Sequence, residues 1–142
     1  MSETIRVLDS FYAAELSCHC GKCPFDIMKF DFKALVYLQK LRNSLNSPIR
    51  ILRGYSCLPH HESIYRALKQ PVTLKSAHLC TAEHKCCGFD ISVDRPRNEV
   101  IHTALVIGFT GIGFGDGKLH IDTMNRFAVW RYESGGSVTS VI

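Results

Sequence analysis

The sequence predicts a single α+β domain over residues 1–142, and three observations indicate it. The length fits one domain that can bury a substantial core. A leucine repeat with helical spacing lies in the first half of the chain. Short apolar runs between turn residues predict strands at 49–52, 88–93, 118–123 and 127–132. We expect the core to span about 11–132, and the Gly- and Ser-rich tail, 134–142, to be flexible.

The helix predicted most clearly covers residues 31–46. Asp31 suits its N-cap, and Pro48 ends it because proline disfavours a helical residue before it. Four leucines recur at spacings of three and four and therefore share one face: Leu35, Leu38, Leu41 and Leu45. We assign that face to the core. Further helices are predicted to start near His60 and to cover 98–107.

Composition argues against several classes of protein. Hydrophobic residues make up 46% and charged residues 21%, which is typical of globular proteins rather than disordered chains. No apolar run approaches the roughly 20 residues of a membrane span. The amino end lacks signal-peptide features, so we expect synthesis in a cytoplasm. The net charge of +4 is scattered, which disfavours nucleic acid but suits an acidic polymer such as cell wall.

Seven cysteines are many for this length, and their odd number prevents complete internal pairing. Without a signal peptide, thiols or metal ligands are favoured over disulfides. Cys18, Cys20 and Cys23 lie in a tight loop that is typical of half a zinc knuckle, or of a cluster of inert thiols. Cys57 or His60 would be the candidate for a fourth ligand.

A glycine-rich stretch, 111–117, leads into a short strand-like run that carries His120 and Asp122. We expect the glycines to form a flexible approach. Residues i and i+2 of a strand point to the same face, so the two side chains should stand side by side. His120 is a good metal ligand. Asp122 suits an acid, a base or a group that orients the ligand.

Asp90 lies inside an apolar strand, between Phe89 and Ile91. A lone buried carboxylate is costly, so Asp90 needs a partner, and a metal ion would supply one. An exposed aspartate on an edge strand is the plainer alternative. With His78 upstream, we expect His78, Asp90 and His120 to converge on one zinc ion.

Several motifs, in this order, resemble those of the M15 peptidase family of peptidoglycan-cleaving zinc enzymes. They include the segments Phe11–Gly21 and Arg53–Pro59, then Ser76-x-His78, Gly88-x-Asp90-Ile91, Gly111-x-Gly113 and His120-x-Asp122. The resemblance covers roughly residues 11–132. It implies a Hedgehog/DD-peptidase fold, with a small antiparallel sheet and helices packed on one face.

The resemblance also implies zinc bound by His78, Asp90 and His120, and hydrolysis of a peptide bond in the peptidoglycan stem or cross-link. The chemistry agrees, because catalytic zinc takes three protein ligands and keeps a position for water. A nearby carboxylate then moves the proton to the leaving amine. Endo- and carboxypeptidase action, of D,D or L,D type, both remain possible.

The chain departs from the family at the first ligand. The family places its histidine about seven positions before the aspartate, whereas His78 lies twelve before Asp90. The longer loop costs only about 0.5 kcal/mol in closure entropy. His84, six positions before Asp90, is the rival ligand. We prefer His78 because Ser76 preserves the family's Ser-x-His.

Two further departures concern the substrate and the base. Ser56 stands where the family has an arginine, and Arg53 in the same turn is the candidate to replace it. We expect substrate contacts from Arg53, Tyr55 and Ser76. Several family members carry the catalytic acid three residues before the last histidine, where this chain has glycine. Asp116 and Asp122 are therefore both candidates for the base.

A phage endolysin released to the wall, or a domain carried in a virion, would suit these features. Two other classes remain open. One is a non-catalytic cell-wall-binding or virion structural module that keeps the fold. The other is a cysteine-based protein, such as a thiol enzyme that uses Cys80, Cys86 or Cys87 with His84 as its base.

Overall fold

The structure, a computed structural model, describes residues 5–115, 117–133 and 137–142. Within these residues the chain forms a mixed α+β domain. The helices are α1 (Ala13–Leu16), α2 (Phe32–Leu45), α3 (Leu58–Ala67) and α4 (Arg97–Ile107), with a 3₁₀ turn at Ile27–Lys29. The strands are β1 (Arg6–Leu8), β2 (Phe11–Tyr12), β3 (Ile49–Arg53), β4 (Gly88–Val93), β5 (Gly111–Gly115), β6 (Lys118–Asp122), β7 (Ala128–Tyr132) and β8 (Val138–Ser140).

Six strands form one sheet in the order β3-β4-β6-β5-β7-β8, and β1 pairs with β2 apart from it. All neighbours in the larger sheet are antiparallel except β5 and β7, which are parallel. The expectation of an antiparallel sheet is therefore wrong for this one pair. The cause is the connection 123–127, which crosses the start of β5 and brings β7 to its far side.

Helix α2 follows the sequence pattern closely. The Asp31 side chain accepts a hydrogen bond from the Lys33 backbone N–H, as an N-cap does. Asn46 ends the helix in the left-handed conformation, at φ 48°. The four predicted leucines are all buried, together with Ala34. This stripe packs into the main apolar cluster, which also contains Val100 and Ala104 of α4.

The sheet has one apolar face and one polar face because side chains alternate along each strand. The apolar face contributes these residues to the same cluster as α2 and α4: Ile49, Ile51, Phe89, Ile91, Ile112, Leu119, Ile121 and Val129. The residues between them face the other side. Asp90 pairs directly with His120 there, and His120 pairs directly with Gly113.

Helix α3 lies beside the polar face, so the helices do not all pack on one face as expected. The helix begins two residues earlier than predicted. Its Ile64 and Tyr65, with Leu68 just after it, line a cleft rather than the core. Leu68 is 57% exposed. His61 is fully buried instead, because its two ring nitrogens have hydrogen-bond partners.

The glycine-rich stretch forms strand β5, in the middle of the sheet, and not the flexible approach that its composition predicts. Gly111 and Gly113 lie on the polar face, where neighbouring side chains lean over them. A Cβ atom on Gly113 would lie 2.5 Å from Trp130 Cε2. The glycines therefore provide room, and the Ile112 side chain between them is buried in the core.

Part of the predicted flexible tail is ordered into strand. Residues 138–140 form β8, which pairs antiparallel with β7, although all three side chains are exposed. The backbone ladder, which does not depend on apolar side chains, accounts for this pairing. Of the helices in the described part of the chain, none has the length and apolar character to cross a membrane.

Candidate metal centre

Three predicted ligands meet on the polar face of the sheet. His78, Asp90 and His120 are buried, and one potential ligand atom from each lies within 4.8 Å of the other two. Asp90 Oδ1 lies 3.0 Å from His120 Nδ1 and 3.3 Å from His78 Nε2. The β4–β6 register aligns Asp90 with His120, and the loop before β4 supplies His78.

The backbone fixes which nitrogen of His78 faces the centre. Its Nδ1 lies 2.8 Å from the carbonyl oxygen of Gly54, so this nitrogen must carry the proton and donate it. The Nε2 lone pair then points towards Asp90 and His120. Holding the remote ring nitrogen in this way is how proteins orient a histidine ligand.

His120 is oriented from behind by a carboxylate. Its Nε2 donates to Asp122 Oδ2 at 2.7 Å, which leaves Nδ1 facing Asp90. Asp122 also accepts two hydrogen bonds from Arg126, at 2.7 and 2.9 Å, and one from the Met124 backbone N–H at 3.0 Å. Asp122 is completely buried. Its oxygens are therefore occupied by protein donors.

The arrangement of the three groups can hold a cation between them. With Nδ1 of His78 and Nε2 of His120 committed as donors, two ring lone pairs and a carboxylate oxygen face one another. Without a metal, a shared proton must relieve this repulsion. Burial lowers the pKa of His120, but hydrogen bonds with Asp122 and Asp90 outweigh it and raise the pKa to about 9. Neutral imidazoles and a carboxylate are a donor set that suits zinc.

Asp90 stays ionised in this environment. Burial raises its pKa, but the two adjoining imidazole rings, of His120 and His78, more than offset that effect and hold the pKa well below its usual range. Asp90 is therefore partnered, as the sequence required of a buried carboxylate.

Comparisons of this chain with protein-family models, with curated proteins and with solved structures found no match. What the site can do is therefore argued from its residues and their geometry.

The rival ligand, His84, lies outside the cluster. Its Nε2 bonds to the carbonyl oxygen of Ser76 at 2.9 Å, and its Nδ1 lies 3.3 Å from the Thr81 hydroxyl. Both nitrogens thus serve to fold the loop between His78 and β4. The spacing of twelve residues between His78 and Asp90 is accommodated by this loop.

The structure describes one of the two candidates for the catalytic base, Asp122, but not the other, Asp116. Asp122 takes the orienting role that the sequence left open, since His120 and Arg126 occupy its carboxylate. Burial raises the pKa of Asp122, but the same two partners overcome this and lower it below its usual range, so Asp122 is a poor proton acceptor. Asp116 lies outside the described residues.

An open cleft of about 750 Å³ gives access to the centre. Among the described residues, its lining has slightly more cationic than anionic side chains. In the described part of the chain the lining has three carboxylates: Asp90 and Asp122, which belong to the centre, and Glu133. The cationic side chains of this described lining are Arg53, Lys75, Lys118 and Arg126, of which Arg126 is paired with Asp122. The cleft therefore favours ligands that carry negative charge.

Arg53 lies in this cleft in a fixed orientation. Its Nε donates to Ser56 Oγ at 2.8 Å, and its Nη2 donates to His61 Nδ1 at 2.9 Å. His61 Nε2 in turn donates to the Thr73 carbonyl oxygen at 2.7 Å, which leaves Nδ1 as the acceptor. Ser56 thus holds the arginine that lies three positions earlier in the chain.

The other two predicted substrate contacts differ. Ser76 lines the cleft, and its Oγ accepts a hydrogen bond from the His78 backbone N–H at 3.2 Å. Tyr55 is not among the described residues that line the cleft. Its ring packs edge-on against the buried Phe30, with centroids 6.2 Å apart, and its contact with substrate stays a prediction.

Sequence reasoning missed Trp130, Arg126 and His61. Trp130 lies over Gly113, with its ring centroid 5.5 Å from that of His120. In the β5–β7 register, Gly111 pairs with Ala128 and Gly113 with Trp130. This match could point to Trp130 only if residues 111–115 were first recognised as a strand. Arg126 and His61 carry no signal in local spacing.

The thiol-enzyme alternative loses support. Cys86 and Cys87 are buried, and burial raises the pKa of both thiols, that of Cys87 to about 11. A nucleophilic cysteine needs the opposite shift. His84, its expected base, bonds to Ser76 and Thr81 instead.

Proposed function

We propose that this protein is a zinc-dependent peptidase that hydrolyses a peptide bond in the peptidoglycan stem or cross-link. The convergence of His78, Asp90 and His120 at the base of an open cleft is the observation that carries the proposal. This ligand set leaves room for further ligands, as in catalytic rather than structural zinc sites. The resemblance of its motifs to the M15 peptidase family supports the same activity.

A bound zinc ion would supply a Lewis acid for the scissile carbonyl and a water of lowered pKa. The chain's own residues prepare the centre for it. Gly54 and Asp122 fix the ring orientations of His78 and His120. Arg53, held by Ser56 and His61, presents a guanidinium in the cleft that can bind a carboxylate or a developing oxyanion.

The charge of the cleft favours wall peptides as substrates. Stem peptides of peptidoglycan carry free carboxylates, and the cationic lining complements them. Trp130 and Tyr132 add aromatic surface for the peptide backbone or side chains. Action on the wall after release as an endolysin, or as part of a virion, is consistent with this chemistry.

A non-catalytic wall-binding or virion module is the second candidate. One observation favours it: the Asp122 carboxylate is engaged by protein donors and does not serve as a base. On this reading the centre binds zinc and the cleft binds wall peptide, but no bond is cut. The two candidates share every contact described above and differ only in turnover.

Digestion of purified peptidoglycan separates them. The wild type and His120→Ala would each be incubated with several wall types, and new amino termini and released fragments would be read by mass spectrometry. His102→Ala is the matched control, because His102 is an exposed histidine on α4 away from the cleft. Cleavage by the wild type and the control, and none by His120→Ala, is the expected result.

If no protein cuts any wall, the enzyme proposal fails. Sedimentation with insoluble peptidoglycan then tests the second candidate. Zinc-dependent retention of the wild type, with loss of retention in His120→Ala, would support the binding module.

A further inference from the structure

Four cysteine sulfurs form a second cluster, away from the cleft. Cys18 Sγ lies 3.6 Å from Cys57 Sγ, Cys20 Sγ lies 3.6 Å from Cys23 Sγ, and Cys57 Sγ lies 3.9 Å from Cys20 Sγ. All four sulfurs lie within 4.8 Å of one another. Zinc–sulfur bonds of about 2.3 Å in a tetrahedron place neighbouring sulfurs about 3.8 Å apart. The observed spacings are those of a tetrathiolate zinc site.

The backbone around the cysteines is also shaped for thiolates. The Lys22 backbone N–H donates to Cys20 Sγ at 3.3 Å, and the Cys57 backbone N–H donates to Cys18 Sγ at 3.3 Å. Gly21 adopts a φ of +78°, which other residues rarely adopt, and this turn brings Cys20 and Cys23 together. Disulfides would need sulfurs about 2.05 Å apart, much closer than these pairs.

We propose that Cys18, Cys20, Cys23 and Cys57 bind a second zinc ion, which is structural. Four protein ligands complete the tetrahedron and leave no position for water or substrate. His60, the other candidate for the fourth ligand, is not part of the cluster. The binding of this ion does not depend on the proposed peptidase activity.

The ion would stabilise the turn at residues 53–56, which contacts His78. Cys57 follows this turn directly. Cys18 lies two residues after Leu16, whose carbonyl accepts a hydrogen bond from the Tyr55 N–H at 3.1 Å. The turn contacts His78 twice. The Gly54 carbonyl accepts from its ring, and the Ser56 backbone N–H donates to its carbonyl at 3.0 Å.

Because Cys18 and Cys57 are 39 residues apart, joining them also closes a long loop in the unfolded chain. Because Gly54 and Ser56 contact His78 and lie in the turn directly before Cys57, we assign the cysteine site a positioning role towards the centre at His78. Loss of the cysteine site is expected to weaken zinc binding at that centre by about tenfold, as when a group that orients a ligand is removed.

Metal content of the purified, zinc-loaded protein tests the inference. We expect two zinc ions per wild-type chain, one in the double variant Cys20→Ser/Cys23→Ser, and one in His120→Ala. Cys80→Ser, which alters a cysteine outside the cluster, should keep two. A double variant that retains the wild-type zinc content would overturn the site. Loss of zinc from the double variant alone, with His120→Ala unchanged, would support the site and count against the proposed function.

Two measurements on the wild type guard against variants that do not fold. Substitution with Co²⁺ should give an intense near-ultraviolet thiolate charge-transfer band, and absence of that band would overturn the proposal. Intact mass after denaturation should show every cysteine reduced. A mass lower by four hydrogens would mean two disulfides in place of the ion. Competitive zinc titration of the double variant then tests the link to His78, and an unchanged affinity at that centre would overturn the positioning role.

Discussion

Arg126 holds the Asp122 carboxylate with both ends of its guanidinium, at 2.7 and 2.9 Å, on the side of His120 that faces away from the metal centre. The pair thus keeps Asp122 ionised and aimed at His120 Nε2. A chain of three side chains therefore runs from the cleft edge to the ligand. The orientation of His120 therefore depends on two residues that are not themselves candidate ligands.

Asp122→Asn should weaken zinc binding about 10- to 100-fold, because an amide replaces the charged acceptor that fixes the His120 ring. A competitive titration with a chromogenic chelator would measure the change. Glu99→Gln is the matched control, since Glu99 forms an exposed pair with Arg95 at 2.6 Å and lies on α4. Equal zinc affinity in wild type and Asp122→Asn would show that Asp122 does not contribute to zinc binding by orienting His120.

Gly113→Ala should destabilise the fold by about 1–3 kcal/mol, the usual cost of overpacking. The new Cβ would lie 2.5 Å from the Trp130 indole. Urea unfolding followed by circular dichroism gives the change in the free energy of unfolding. In a Trp130→Leu background the same substitution should cost much less, because the ring it meets is gone. An equal cost in both backgrounds would show that the indole is not the obstacle.

Arg53→Lys should lower kcat/KM on wall peptides about tenfold or more, with zinc content unchanged. Lysine keeps the charge but cannot contact Ser56, His61 and substrate with one planar fork. Fragment release followed over time measures the rate. Arg50→Lys, an exposed position in the same strand, is the control and should match wild type. Wild-type rates in Arg53→Lys would exclude a contribution of the guanidinium to turnover.

The stability contributed by His61 should fall in acid. Burial lowers its pKa, the Thr73 carbonyl acts in the opposite direction, and Arg53 lowers the pKa further, so the folded-state value lies below 6.5. Below pH 6.5 the unfolded chain therefore binds the proton first, and the free energy of unfolding decreases as the pH drops. Protonation would also remove the acceptor for Arg53.

His61→Gln is the reference for this effect, because its amide can accept from Arg53 and donate to Thr73 without titrating. The stability difference between wild type and His61→Gln should shrink or reverse between about pH 7.5 and pH 5. Urea unfolding across that range checks it. A difference that does not change with pH would mean that His61 does not take up a proton on unfolding.

Three residues of the centre were predictable from the local periodicity of the sequence. His120 and Asp122 alternate along one strand, and Asp90 breaks an apolar run, so each signals a polar face from its neighbours alone. Helix α2 was equally readable, from the leucine spacing and its N-cap. The choice of His78 over His84 needed the Ser-x-His resemblance, since the two histidines have the same chemistry.

Strand β5 was not predictable from propensity. Glycine disfavours strands, and its alternate positions become meaningful only beside Trp130 on β7. The roles of Arg126 and His61 depend on contacts formed between elements, with Asp122 and Arg53. Such contacts follow from register and loop path, which a single sequence does not specify.

The path of the connection 123–127 limits how this protein can evolve. The five residues must pass over the start of β5, from a strand on one side to a strand on the other, a span of about 10 Å. They also deliver Arg126 to Asp122. Insertions should therefore be tolerated near the tip of the loop 79–85, where Thr81, Glu83 and His84 bond to one another, whereas the length of 123–127 should stay constant among descendants that keep the centre. A change of one residue there would move the guanidinium away from the carboxylate while leaving all three candidate ligands in place.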